Sequence, residues 1–114
     1  MKVLIINGSP RREGNTARAL SELQNTLELE GIETETMHIG HLPIRGCLAC
    51  GKCAENKQCI FDDEVNQAAL KFKEADGLVV GSPVYYASAN GTLTALLDRL
   101  FYSSRCDKTM KVGA

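Results

Sequence analysis

Residues 2–16 read Lys2-Val3-Leu4-Ile5-Ile6-Asn7-Gly8-Ser9-Pro10-Arg11-Arg12-Glu13-Gly14-Asn15-Thr16. Lys2 to Ile6 is an apolar, β-branched run, the pattern of a strand buried on both faces of a parallel sheet. It stops at the turn cluster Asn7-Gly8-Ser9-Pro10. Asn15 or Thr16 is expected to cap a helix with Ala17, Leu20, Leu23 and Leu27 along one side, and Gly31 follows as its terminating residue. A strand that runs through a tight loop into a helix presents free N–H groups and the positive helix end to one spot, which makes an anion site. Ser9, Asn15 and Thr16 add short donors, and Arg11 and Arg12 add charge. The loop is not a Walker A sequence, because Asn15 stands where the lysine belongs and the glycine spacing is one residue longer. Gly-x-Gly-x-x-Gly is absent as well. Short donors without lysine or a magnesium ligand suit a monophosphate; a polar turn with a satisfied cap is the alternative.

Outward from this stretch the chain alternates. Glu33 to Ile39 reads as a second, more polar strand, and an irregular stretch from Gly40 to Phe61 follows. A second helix starts near Asp62-Asp63, whose carboxylates suit a helix N-terminus, and runs to about Ala75. Gly77-Leu78-Val79-Val80 is a third buried strand ending in Gly81-Ser82-Pro83. A third helix from about Asn90 carries Leu93, Leu96, Leu97 and Leu100, and Met110 to Ala114 looks like the start of a fourth strand. The order β-α-β-loop-α-β-α predicts an α/β parallel sheet with right-handed crossovers. Gly-Ser-Pro occurs after strand 1 and again after strand 3, at the strand ends where open α/β sheets bind ligands.

With strand order 2-1-3, the turn Ser82-Pro83-Val84-Tyr85-Tyr86-Ala87 lies beside the anion loop. Two of the chain's three tyrosines fall in it. A planar ring system can pack on Pro83, Val84 and Tyr85 while backbone N–H groups reach its polar edge. Core or interface packing of the tyrosines is the competing reading.

Together, Gly8-Ser9-Pro10-Arg11-x-x-Gly14-Asn15-Thr16, Ser82-Pro83-Val84-Tyr85-Tyr86 and Leu97-Asp98-Arg99 resemble the NAD(P)H-dependent FMN reductases, and more closely the iron–sulfur flavoproteins of the flavodoxin-like superfamily. The resemblance covers essentially the whole chain. It implies a flavodoxin-like three-layer sandwich with sheet order 2-1-3-4-5, of which strands 1–3 and the start of strand 4 are present. Residues 1–114 then form the N-terminal part of one FMN-binding domain, with the cysteine-rich loop 40–61 inserted between strand 2 and helix 2. The resemblance further implies FMN, with Ser9, Arg11, Asn15 and Thr16 at its phosphate and Pro83, Val84, Tyr85 and Tyr86 along the isoalloxazine. NAD(P)H is the implied electron donor, and a homodimer or homotetramer the implied assembly.

Cys47-x2-Cys50-x2-Cys53-x5-Cys59 places four thiols within one short loop. Two successive x2 spacings let a backbone curl about an iron–sulfur cubane, although the last spacing is longer than in the bacterial ferredoxin run. A four-cysteine zinc site, a local disulfide, and thiols that hold nothing are the alternatives on spacing alone. In the iron–sulfur flavoproteins that the run resembles, four such thiols bind one 4Fe–4S cluster. Cys106 stands outside the motif. His38 and His41 flank the loop without ligand spacing and receive no role.

Composition fits a small globular domain. The 114 residues carry 13 Lys+Arg against 14 Asp+Glu, a net charge of −1, which argues against a general nucleic-acid binder. No apolar run reaches the roughly 20 residues of a membrane span, and no signal peptide opens the chain, so the expected compartment is the cytoplasm. The function the resemblance implies is an FMN-dependent oxidoreductase of flavin or quinone reductase type, or an iron–sulfur flavoprotein passing electrons between FMN and the cluster, with a small-molecule or protein acceptor. A non-enzymatic electron carrier and a zinc- or thiol-binding module without flavin are the alternatives. The motif order predicts that the sheet needs two more βα units, roughly 60–90 residues, including a later loop against the flavin ring.

Overall fold

The computed structural model describes residues 1–104, 106 and 108–114. Its elements are β1 (Lys2–Asn7), α1 (Asn15–Leu29), β2 (Glu33–His38), α2 (Cys53–Asn56), α3 (Glu64–Glu74), β3 (Gly77–Gly81), β4 (Val84–Tyr85), β5 (Ser88–Ala89), α4 (Gly91–Ser103) and β6 (Val112–Gly113). Strands β2, β1, β3 and β6 make one parallel sheet in that order. This is the start of the 2-1-3-4-5 arrangement, with β6 as its fourth strand.

The period-2 alternation of β1 builds three layers. Leu4 and Ile6 point to one face and pack with Val65, Ala68 and Phe72 of α3 and Leu93, Leu96 and Leu100 of α4. Val3 and Ile5 point to the other and meet Leu20 of α1, with Leu23, Leu27 and Val79 at the margin. Ile5 and Ile6 have no exposed surface, so β1 is the strand around which both layers close. β2, at the sheet edge, is polar as expected. Lys2 reaches its Glu35 at 3.0 Å and Lys71 pairs with the same carboxylate, charges that guard an edge against strand addition.

Three local expectations change. The cap of α1 is Gly14, in extended conformation and with no side-chain cap bond, so Asn15 and Thr16 are the first helical residues rather than caps. The cysteine loop is not wholly irregular, because α2 forms inside it. Residues after Pro83 fold into a two-stranded antiparallel hairpin, β4–β5. The helices expected to start near Asp62-Asp63 and Asn90 do so, and Asp63 and Asn90 cap them by accepting from Val65 N and Leu93 N. Among the described residues no helix is long and apolar enough to cross a membrane.

Candidate functional site

The loop between β1 and α1 is held from three sides. Asn7 Oδ1 accepts from Ser9 N at 2.9 Å and Ser9 Oγ accepts from Arg11 N at 3.2 Å, two local bonds that set the curl of the loop. From the β3 side, Gly8 N donates to Gly81 O at 2.8 Å. Asn90 joins everything on that side. Its Nδ2 donates to Gly8 O at 2.5 Å, its N donates to Ser82 Oγ at 2.9 Å, and its Oδ1 caps α4. Asn90 is 3% exposed, and its partner Gly8 is 82 residues away. Sequence reading finds it only as a helix start, because nothing local couples it to the first loop.

From the β2 side the wall is Gly40 and His38. A Cβ on Gly40 would lie 2.1 Å from the carbonyl carbon and oxygen of Ser9, so only glycine lets this chain segment back the loop. His38 Nε2 lies 2.6 Å from Ser9 O. A carbonyl can only accept, so the imidazole donates from Nε2. The His41 ring packs against His38 in a tilted arrangement, with centroids 4.7 Å apart and planes 37° from parallel. Both histidines lack any ligand spacing, and their role is visible only once the end of β2 lies against the loop.

The structure brings the two expected groups of residues together at the C-terminal ends of adjacent strands β1 and β3. Ser9 is buried in the loop, Thr16 is half-buried in the first turn of α1, and Arg11 and Asn15 are exposed beside them. The first intrahelical bond of α1 is Arg18 N to Gly14 O, so the N–H groups of residues 15–17 point out of the helix start with no chain partner among the described residues. Pro83 is half-buried, while Val84, Tyr85 and Tyr86 are exposed on the hairpin. Tyr86 and Ala87 form its two-residue turn with φ of 47° and 66°. Neither residue favours the left-handed region, and the paired positive values are the pattern normally given to Asn-Gly. Local strain of this sort gathers at ligand sites.

These residues fit FMN in kind: an open helix start with short donors for a phosphate, and an aromatic, apolar edge for a ring. The surface they form is an open shelf. Arg11 and Arg12 are exposed on the loop itself.

The four motif cysteines line one recess together with Phe61, Arg99 and Ser103. Cys53 is buried, with its Sγ 3.9 Å from Tyr102 O, and Cys59 is half-buried, whereas Cys47 and Cys50 are exposed. Cys47 Sγ accepts from Ala49 N at 3.3 Å. The recess leaves only about 20 Å³ for water, and among the described residues no three His, Cys, Asp or Glu side chains converge closely enough to hold a metal ion. The donor set and its common placement suit a sulfur-ligated centre, but the thiols are not drawn together around one. Cys106 lies outside this recess, beside Lys57 and Lys73.

Arg99 closes the back of the recess. Its guanidinium donates to both oxygens of Asp63 at 2.7 and 2.8 Å, and its Nε lies 3.4 Å from Cys59 Sγ. It also donates to Arg45 O at 3.2 Å and sits over the Phe61 ring. Burial works to lower its pKa, but the bonds and charge of Asp63 and the Cys59 sulfur outweigh burial and hold it above the ordinary arginine value.

Fold and site together define a flavodoxin-like α/β protein with an open helix start after its central strand and a cysteine recess beside α4. Residues 1–113 match the NADPH-dependent FMN reductase family, and the chain belongs to it. It is 42% identical over 99 residues to an iron–sulfur flavoprotein of Methanocaldococcus jannaschii, covering 87% of this chain and 51% of that protein. It is 34% identical to an iron–sulfur flavoprotein of Methanosarcina thermophila, covering all of this chain and 61% of that one. An NAD(P)H:quinone oxidoreductase from Methanothermobacter marburgensis superposes with a TM-score of 0.74 at 17% identity, over 98% of this chain and 60% of its own, a likeness of fold. The chain thus spans about half to three-fifths of the length of these relatives.

Proposed function

We propose that the protein is an FMN-dependent oxidoreductase that takes electrons from NAD(P)H and passes them to a small-molecule or protein acceptor. The observation that carries this reading is the junction of the β1–α1 loop with the Pro83–Tyr86 hairpin, where a helix start with N–H groups unpaired among the described residues stands beside an apolar aromatic edge. Ser9, Arg11, Asn15 and Thr16 would hold the FMN phosphate through N–H, hydroxyl and amide donors. Pro83, Val84, Tyr85 and Tyr86 would line the ring and exclude water from one face of it. Bound FMN would supply the two-electron chemistry, and no side-chain nucleophile or paired acid and base is required of the shelf.

Cys47, Cys50, Cys53 and Cys59 would hold a 4Fe–4S cluster, reading the recess together with the names of the Methanocaldococcus and Methanosarcina relatives. Arg99 would place a fixed positive charge and an N–H donor beside the Cys59 sulfur. Assembly as a homodimer or homotetramer and a cytoplasmic location belong to the same proposal.

Anaerobic purification followed by an absorption spectrum, with FMN, iron and acid-labile sulfide assayed per chain, tests both cofactors. About one FMN and four irons per chain supports the full reading, and flavin without iron removes the cluster. A protein that neither contains nor takes up FMN overturns it. Turnover of NADH or NADPH with a quinone or free FMN separates the enzyme from a pure electron carrier, which would hold reducible flavin without turnover.

A further inference from the structure

We propose that His38 is a positioning residue of the phosphate loop: by fixing the Ser9 carbonyl toward β2, it keeps that carbonyl dipole from facing the FMN phosphate. The inference rests on the FMN reading of this loop and extends it to a residue outside the loop.

The sequence poses the problem. In the stretch Gly8-Ser9-Pro10 the Ser9–Pro10 peptide has no N–H, so the only polar group it can turn toward an anion is its carbonyl oxygen. A carbonyl facing a phosphate is repulsive, and the loop gains affinity if that dipole is turned elsewhere. The structure turns it. Ser9 O accepts from His38 Nε2 at 2.6 Å, on the β2 side of β1 and so opposite the hairpin that follows β3. The same wall holds the backbone from behind, since Ile39 N donates to Asn7 O at 2.9 Å and Gly40 lies against Ser9 too closely to admit a Cβ. His38 is half-buried at the end of β2, and its ring is braced by His41. On the other side, Asn90 takes the Gly8 carbonyl in the same manner, at 2.5 Å. Two successive loop carbonyls are therefore each tied back by a side-chain donor, while the N–H groups at the start of α1 stay open to an anion.

The test compares FMN with riboflavin, which has the same ring and no phosphate. Apoprotein is titrated with each, in the wild type, His38→Ala and His38→Gln; the glutamine amide can place a donor where Nε2 stands. His38→Ala should weaken FMN about tenfold, the size of one lost hydrogen bond to a loop that binds charge, and leave riboflavin within about twofold. His38→Gln should restore FMN binding to within about threefold. Unchanged FMN affinity in His38→Ala, or equal losses for FMN and riboflavin, overturns the inference while the FMN reading stands. If the wild type binds neither flavin, the FMN reading fails, and amide hydrogen exchange then decides the loop's geometry. Faster exchange at Arg11 in His38→Ala, at unchanged global stability, would support the positioning role, and identical exchange would overturn it.

Discussion

Arg99 on α4 and Asp63 at the start of α3 form a two-bond ion pair, at 2.7 and 2.8 Å, in which the arginine side chain has no exposed surface. This pair fastens two helices that pack on the same face of the sheet, and it stands directly behind the cysteine recess. A buried charge held this way adds little when intact and costs much when its partner is removed.

Asp63→Ala should therefore destabilise the protein by about 3 kcal/mol, from the stranded Arg99 charge and the lost cap on Val65 N. Arg99→Lys should also destabilise it, because an ammonium cannot reproduce the fork on both carboxylate oxygens. Urea unfolding of each variant checks this, and a loss below about 1 kcal/mol for Asp63→Ala would show that the recess rehydrates the guanidinium.

Asn90→Ala removes the α4 cap and the donor to Gly8 O together. A stability loss of about 2 kcal/mol is expected, with weaker FMN uptake. Asn90→Asp separates the two roles. It keeps an acceptor for Leu93 N but sets an oxygen against the Gly8 carbonyl, so the cap should survive while flavin binding falls. Thermal unfolding and flavin titration of both variants supply the comparison.

Gly40→Ala forces a methyl group into the Ser9 backbone, where the approach is 2.1 Å. Backbone cannot yield as a flexible side chain can, so a cost of more than about 2 kcal/mol is expected. A variant with wild-type stability would mean that the β2–loop wall is easily displaced.

Replacing Tyr86-Ala87 by Asn-Gly should raise stability by about 1–2 kcal/mol, since both positions adopt positive φ that the native residues disfavour. Flavin binding should fall several-fold with loss of the Tyr86 ring. Gain in one and loss in the other is the signature of strain kept for function. A variant that gains stability and binds FMN as well as wild type would remove Tyr86 from the site.

If the recess holds the proposed cluster, anaerobically purified Cys59→Ser should lose most of the iron that the wild type carries, whereas Cys106→Ser should keep it. Iron analysis per chain decides, and equal iron in both would detach the recess from the cluster.

The continuous apolar run Val3-Leu4-Ile5-Ile6 was enough to mark β1 as a strand covered on both faces, because burial on both faces needs a fully apolar strand. The turn residues after β1 and β3, the helix starts near Asp63 and Asn90, and the grouping of four cysteines were equally legible, each being a local demand of backbone or ligand chemistry. The start of α1 was not, since extended backbone at Gly14 moved the cap one residue upstream of the side chains suited to it. Nor was the hairpin at Tyr86, where two residues that prefer other conformations are held at positive φ. The sequence by itself determined the strands of the main sheet, the three long helices, their parallel order and the residue types available to a phosphate and a ring. Only the tertiary structure decided that His38, Gly40 and Asn90 wall the loop and that Arg99 backs Cys59. Those contacts join residues tens of positions apart, and no periodicity or spacing encodes them; they arise when adjacent parallel strands bring their C-terminal ends to one edge.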